Sequence, residues 1–144
     1  MIMHFKQAAA ATALASALIV ISGCGSAEDG IAALDREATA EDRLPDVVAD
    51  ESVNVDSVRK VAEQDHVAYF IGAMTDDRGY CAYAVSTDND DFIGGCGSGN
   101  GQLVNVTPGG NTDLPQMTLV KDSHDSEDLK HDNWAEVQTN IFIR

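Results

Sequence analysis

Val67-Ala68-Tyr69-Phe70-Ile71-Gly72-Ala73-Met74 is the most apolar stretch of residues 54–144. It is apolar at alternate positions of both parities, so a strand here would bury both faces and suits the centre of a sheet. Asp76-Asp77-Arg78-Gly79 follows with turn chemistry. Tyr80 to Ser86 then alternates Cys81, Tyr83 and Val85 on one face with the small Ala82 and Ala84 on the other. Asp88-Asn89-Asp90 turns the chain again, and Asp91 to Cys96 returns. Upstream, Val58 to Ala62 reads as a first strand, although a helical turn over Asp56 to Glu63 fits the same residues, and Gln64-Asp65-His66 gives a turn. Downstream, Leu103 to Val106, Met117 to Val120 and Trp134 to Ile143 complete six or seven strands. Short strands with a turn about every ten residues predict a mainly β domain over residues 54–144: an antiparallel meander, an open sheet or a small barrel. So small a domain buries a modest share of its surface, and a covalent crosslink would supplement its core.

The other long apolar run lies at the start. Met1 to Gln7 carries Lys6, and Ala8 to Ile21 is Ala, Leu, Ile and Val with Thr and Ser interruptions. A membrane-spanning helix needs about 20 apolar residues, and this run is shorter. Its length, basic start and small-residue exit fit a secretory signal. Ile21-Ser22-Gly23-Cys24 resembles the bacterial lipobox, where small residues precede an obligatory cysteine. That resemblance implies lipidation of the Cys24 thiol, cleavage of residues 1–23, and attachment to the extracytoplasmic face of a cell membrane. Two acyl chains anchor far more firmly than one, at about 0.8 kcal/mol per buried methylene. An Asp directly after the cysteine commonly retains Gram-negative lipoproteins at the inner membrane; here that position is Gly25.

Charge narrows the partners. Removing residues 1–23 from 144 leaves 121 residues, with all 24 acids against eight Lys and Arg, a net charge of −16. Such a surface repels nucleic acid and anionic headgroups, and argues against both as partners. With Cys24 assigned to lipid, Cys81 and Cys96 remain as a pair. Outside the cytosol such a pair usually oxidises, and closing a loop of about 15 residues contributes about 3 kcal/mol. A metal or redox site is the alternative, though neither cysteine belongs to a CxxC.

Residues 24–53 read as the lipidated cysteine followed by an acidic linker. Residues 25–56 hold ten acids against Arg36 and Arg43, with no aromatic residue. A flexible chain over 25–43 would reach about 20–25 Å. Leu44, Val47 and Val48 are expected to dock on the domain edge, and Ile31-Ala32-Ala33-Leu34 to start a short helix.

Leu44-Pro45, Ser57-Val58-Arg59, the Tyr69 strand, Tyr80-Cys81, Gly95-Cys96 and Trp134-Ala135-Glu136-Val137-Gln138-Thr139-Asn140-Ile141-Phe142 together resemble small exported or lipid-anchored actinobacterial proteins of unassigned function. The resemblance implies a β-rich body and a Cys81–Cys96 bridge, and it brings no catalytic residues.

Three stretches invite chemistry. Gly94-Gly95-Cys96-Gly97-Ser98-Gly99-Asn100-Gly101 lacks the lysine and following helix of a phosphate loop, and Cys96 and Asn100 stand where a nucleophile elbow around Ser98 needs glycine. It reads as a flexible hairpin exit. Asp88, Asp90 and Asp91 cluster oxygen ligands as calcium loops do, but counted from Asp88 the sixth residue is Ile93 and the twelfth Gly99, against the EF-hand register. His124 and His131, amid Asp122 to Asp132, would share a helical face if a helix formed there, and are transition-metal candidates. The default for these acidic stretches is a solvated turn or loop. No catalytic set or cofactor is expected. The expectation is therefore a lipid-anchored, non-enzymatic interaction or structural module, with an unidentified envelope protein as a conceivable partner. The alternative is an extracytoplasmic lipoprotein binding a ligand or a divalent cation.

Overall fold

A computed structural model describes residues 30–144. Residues 1–29, which hold the expected signal segment, Cys24 and the start of the expected linker, lie outside the described part. The fold is mainly β. Strands β1 (Arg59–Gln64), β2 (Val67–Ala73), β3 (Tyr80–Ser86) and β4 (Phe92–Gly97) form one antiparallel meander, in that spatial order. Strands β5 (Gln102–Val106), β6 (Met117–Val120), β7 (Ala135–Gln138) and β8 (Ile141–Ile143) form a second antiparallel sheet ordered β5-β6-β8-β7. The sheets pack on each other, with β4 beside β5 and β1 beside β7, but share no ladder there. Of the architectures expected, the paired open sheets are the one formed; the barrel is not closed.

Local chemistry explains the turns. Asp65 and His66 both have positive φ (52° and 63°) between the paired Gln64 and Val67. That makes a two-residue hairpin whose twist matches its strands, using residues that tolerate the left-handed region. The stretch expected as one strand, Trp134 to Ile143, is instead a hairpin of β7 and β8. Glu136 faces Phe142 and Gln138 faces Ile141, which leaves Thr139-Asn140 at the turn.

The alternation in β2 and β3 sorts two cores. Tyr69, Ile71, Ala82 and Ala84 point into the space between the sheets, against Leu103, Met117, Leu119 and Ile141. Phe70, Cys81, Tyr83 and Val85 point the opposite way and meet Val48, Val53 and Val58. The central strands are thus covered on both sides, as their composition requires. A third cluster, Val120, Leu129, Trp134 and Phe142, lies where the short helix α1 (Glu127–His131) packs. Leu129 is buried within that helix, so the acidic stretch read as a loop contains one packed turn.

The cover on the outer face of the first sheet comes from the segment expected to be linker. Ile31 enters the core between the sheets, and Ile31 to Ser57 form a strap over the first sheet with three short 3-10 turns, Ala32–Leu34, Ala40–Asp42 and Val55–Ser57. Asp42, Val48 and Val53 are buried. The folded body therefore begins by Ile31, not at residue 54. The apolar residues are spaced too irregularly for a helix or strand pattern, yet each fills a gap on the sheet face, and burial of that area outweighs the segment's charge.

Candidate functional site

The strap is held to the sheet by two carboxylates. Asp42 is only 3% exposed. Its carboxylate accepts a bidentate pair of bonds from Arg36 (2.7 and 2.5 Å), bonds from the Thr39 backbone N–H (2.6 Å) and hydroxyl (3.0 Å), and one from the Lys60 backbone N–H (2.8 Å). Arg36 also donates to the Lys60 carbonyl at 3.0 Å. Together the pair occupies both backbone groups of Lys60, on the strand that has a ladder partner only in β2, so at that position the edge is not open to another strand. The Arg36 guanidinium, and then the Thr39 and Lys60 N–H groups, outweigh burial and hold the Asp42 carboxyl well below the usual carboxylate range. The sequence did carry a signal for this: Thr39-Ala40-Glu41-Asp42 is a capping box written with Asp, and the box is formed.

Arg59 packs beside it. It is buried, and its Nε donates to the Arg36 carbonyl (2.9 Å) while Nη1 donates to the carbonyls of Asp56 (3.0 Å) and Val58 (2.8 Å). A guanidinium satisfied by backbone oxygens pins the strap from below without a carboxylate.

The second carboxylate, Asp50, accepts a 2.8 Å bond from the Tyr83 hydroxyl and one from the Ser52 N–H, also 2.8 Å. Burial alone would raise the Asp50 carboxyl, but these bonds outweigh it and leave it below the ordinary value. Burial first, then the hydrogen bond to Asp50 and the Asp50 charge, push the Tyr83 phenol above its ordinary value. Beside this pair, Cys81 and Cys96 sit directly opposite each other on β3 and β4 and are joined by a disulfide. Cys96 Sγ lies 3.8 Å from both the Tyr83 hydroxyl and Asp50 Oδ2.

The glycine-rich stretch owes its composition to this arrangement. Gly94, Gly95 and Gly97 lie within β4 rather than in a flexible exit. A Cβ on Gly94 would meet the Tyr83 ring at 2.2 Å, and one on Gly97 would meet the Leu103 carbonyl at 2.3 Å. The missing side chains let the Tyr83 ring lie across β4 and let β5 approach it. No residue-pattern rule for phosphate loops or elbows anticipates that use.

Two concavities flank the strap and the glycine-rich strand. A groove of about 540 Å³ opens along the strap, floored by Leu44, Pro45, Val48 and Val58, with Asp42 and Arg43 at its polar side. Val55 borders it and is 67% exposed. A second hollow of about 280 Å³ is lined by Arg78, Tyr80, Ser98, Gly99 and Lys121.

The metal candidates are not brought together. Asp88, Asp90 and Asp91 are exposed on the β3–β4 turn, where Asp88 faces the His66 ring (3.3 Å) and the Asn89 side chain braces the turn through the Asp91 N–H (2.8 Å). His124 precedes α1 and lies beside Gly101, whereas His131 ends the helix, exposed. The helix is too short to contain both, so they share no face. Among the described residues no group of three or more His, Cys, Asp or Glu is placed to hold a metal ion. The geometry defines the molecule as an open β-sandwich with a charged strap. Comparison with protein-family models, with curated proteins and with solved structures finds no match.

Proposed function

We propose that this is a lipid-anchored cell-envelope protein, attached through Cys24 to the extracytoplasmic face of a membrane, whose β body acts as a non-enzymatic interaction or structural module. The observation that carries the reading is the cysteine arrangement. Cys81 and Cys96 are bonded to each other, which leaves Cys24 as the only cysteine outside the pair, at the end of the apolar N-terminal run. A disulfide fits an oxidising compartment, and a cysteine after Ile21-Ser22-Gly23 fits a lipid acceptor.

Metabolic labelling with a palmitate analogue tests the anchor. The native chain takes the label and partitions with membranes; Cys24→Ala loses both. Unchanged labelling of the variant overturns the reading.

A further inference from the structure

Four strands stand at sheet edges, β1 and β4 in the first sheet and β5 and β7 in the second. Three of them carry a register shift: between Lys60 and Ala62 in β1, Gln102 and Val104 in β5, and Glu136 and Gln138 in β7. Such a bulge twists an edge away from flat pairing, and β1 has the Arg36–Asp42 latch as well. β4 has neither protection. Its residues pair with β3 in unbroken register and include no Pro and no charged side chain.

The ladder decides which backbone groups of β4 are left over. The Ser86 N–H donates to the Asp91 carbonyl at 2.9 Å. By the alternation of an antiparallel pair, Ile93, Gly95 and Gly97 then turn toward β3, and the N–H and C=O groups of Phe92, Gly94 and Cys96 point outward. Among the described residues none of these outward groups has a hydrogen-bond partner. Phe92 and Gly94 are exposed, Phe92 to 41%. β5 does not fill the space, because it meets residues of the other parity. A Cβ on Gly95 would lie 3.6 Å from Val106 Cγ2 and 3.7 Å from Val104 Cγ1, and Ile93 packs into the inter-sheet core. β5 therefore lies under the inner face of β4, out of line with its sheet.

Charge selects the occupant. Between Arg78 and Lys121 the chain has no Lys or Arg and four acids, Asp88, Asp90, Asp91 and Asp113, and that span contains β3, β4 and β5 whole. Asp88, Asp90 and Asp91 are exposed at the Phe92 end of β4, and Asp50 of the strap comes within 3.8 Å of Cys96 Sγ. Arg78 and Lys121 lie at the other end, around the hollow beside Gly99. A second copy of the chain would bring the same excess of acid, which opposes self-pairing.

We propose that β4 takes an extended, basic segment of a partner protein as an added strand of the first sheet. Bonds to Phe92, Gly94 and Cys96 hold its backbone, and its Lys or Arg side chains meet Asp90 and Asp91. Gly94, having no side chain, leaves room beside Phe92 and the Tyr83 ring for an apolar side chain of the incoming strand. This deepens the interaction-module reading and stands whether or not Cys24 carries lipid.

The test uses the full-length chain in a non-ionic detergent and follows backbone hydrogen exchange residue by residue. The probe is a blocked peptide of alternating Thr and Val flanked by lysines. The Phe92, Gly94 and Cys96 N–H groups should exchange about tenfold more slowly once free peptide stands about tenfold above its dissociation constant. The Lys60 N–H, held by Asp42 on the latched edge, should be unaffected. A fully N-methylated form of the peptide should give no slowing, since it cannot donate to the strand. A glutamate-flanked form should bind at least about fivefold more weakly, the scale of one close charge pair in water. Phe92→Lys, at an exposed position, should weaken the lysine-flanked peptide about fivefold, the scale of one cross-strand aromatic contact. No slowing at millimolar peptide, or equal slowing by the N-methylated form, overturns the added strand. Equal binding of the glutamate-flanked form overturns the basic partner. Slowing at the same amides without peptide, rising with protein concentration, overturns it in favour of a second copy. Loss of the palmitate label with peptide protection intact overturns the anchor alone, and a retained label without protection overturns the edge alone.

Discussion

The two faces of the first sheet are buried by different means. Toward the second sheet, Tyr69, Ile71, Ala82 and Ala84 meet Met117, Leu119 and Ile141, and the contact is apolar throughout. Toward the strap, Phe70, Tyr83 and Val85 meet Val48, Val53 and Val58, but the strap is also pinned by Asp42, Asp50 and Arg59. The reason is backbone satisfaction. Paired strands satisfy their own N–H and C=O groups through ladders, whereas a strap without a ladder needs side chains to do so. Area holds the first face; area and placed charge hold the second. Mutations can separate the two.

The inter-sheet face should be the more costly to damage. Ile71 is fully buried, and Ile71→Ala leaves a cavity between the sheets costing about 4 kcal/mol. Chemical denaturation should show one transition at lower denaturant, with both sheets lost together. A strap that unfolds first in this variant would mean that the two cores are not cooperative. Next in size is the disulfide. Cys81→Ala with Cys96→Ala should cost about 3 kcal/mol through the freed chain of the unfolded state, read as a lower midpoint. That loss should match the effect of reducing the native protein.

Asp42→Asn probes the strap itself and should cost about 2 kcal/mol, the scale of hydrogen bonds to a charged group. Hydrogen exchange should accelerate in residues 31–58 before β2 and β3 respond. The same carboxylate gives a pH signature. Its folded pKa is depressed by Arg36, so its contribution is fully present above the unfolded value of about 3.9. It is lost as pH falls through that value toward the folded one. The native protein should therefore lose stability below about pH 5, and more steeply than Asp42→Asn. Equal slopes would remove Asp42 from the account.

How legible this was depended on the kind of signal. The β2 and β3 alternation announced strands buried on both faces, and the turn at Asp88-Asn89-Asp90 put Cys81 and Cys96 on neighbouring strands, while their direct opposition is visible only in the folded chain. What covered the outer face was legible only in part: Leu44, Val47 and Val48 were expected to dock on the domain edge and do pack on the first sheet. Ile31 and Val53 were not placed, because they stand in an acidic stretch where no period of two or 3.6 connects them. Their burial is decided by tertiary contact alone. Leu129 was hidden for the same reason, as a single apolar residue in a five-residue helix. Gly94 was visible as a glycine but not as the space for Tyr83, because the partner that needs the space lies on another strand. Asp42 had its capping-box spelling, yet the spelling gives no hint that Arg36 and Lys60 complete the site.

The smallest expected effect lies where the two means of burial meet. Tyr83 packs its ring on the strap side and donates its hydroxyl to Asp50. Tyr83→Phe keeps the ring, its contact with Gly94 and the apolar area, and removes one bond from a half-buried carboxylate. A cost of about 1 kcal/mol follows, because Asp50 keeps the Ser52 N–H and reaches solvent on its open side. The loss should appear as faster exchange near residues 48–53 with the inter-sheet core unmoved. The Asp50 carboxyl should also titrate nearer its ordinary value, since one of the bonds that lowers it is gone. Asp50→Asn in the same background should then add little, because the bond the two residues share is already absent. Additive losses would show that Asp50 holds the strap through Ser52 and not through the sheet, and would leave Asp42, Arg59 and the Ser57 hydroxyl among the polar groups that join the two.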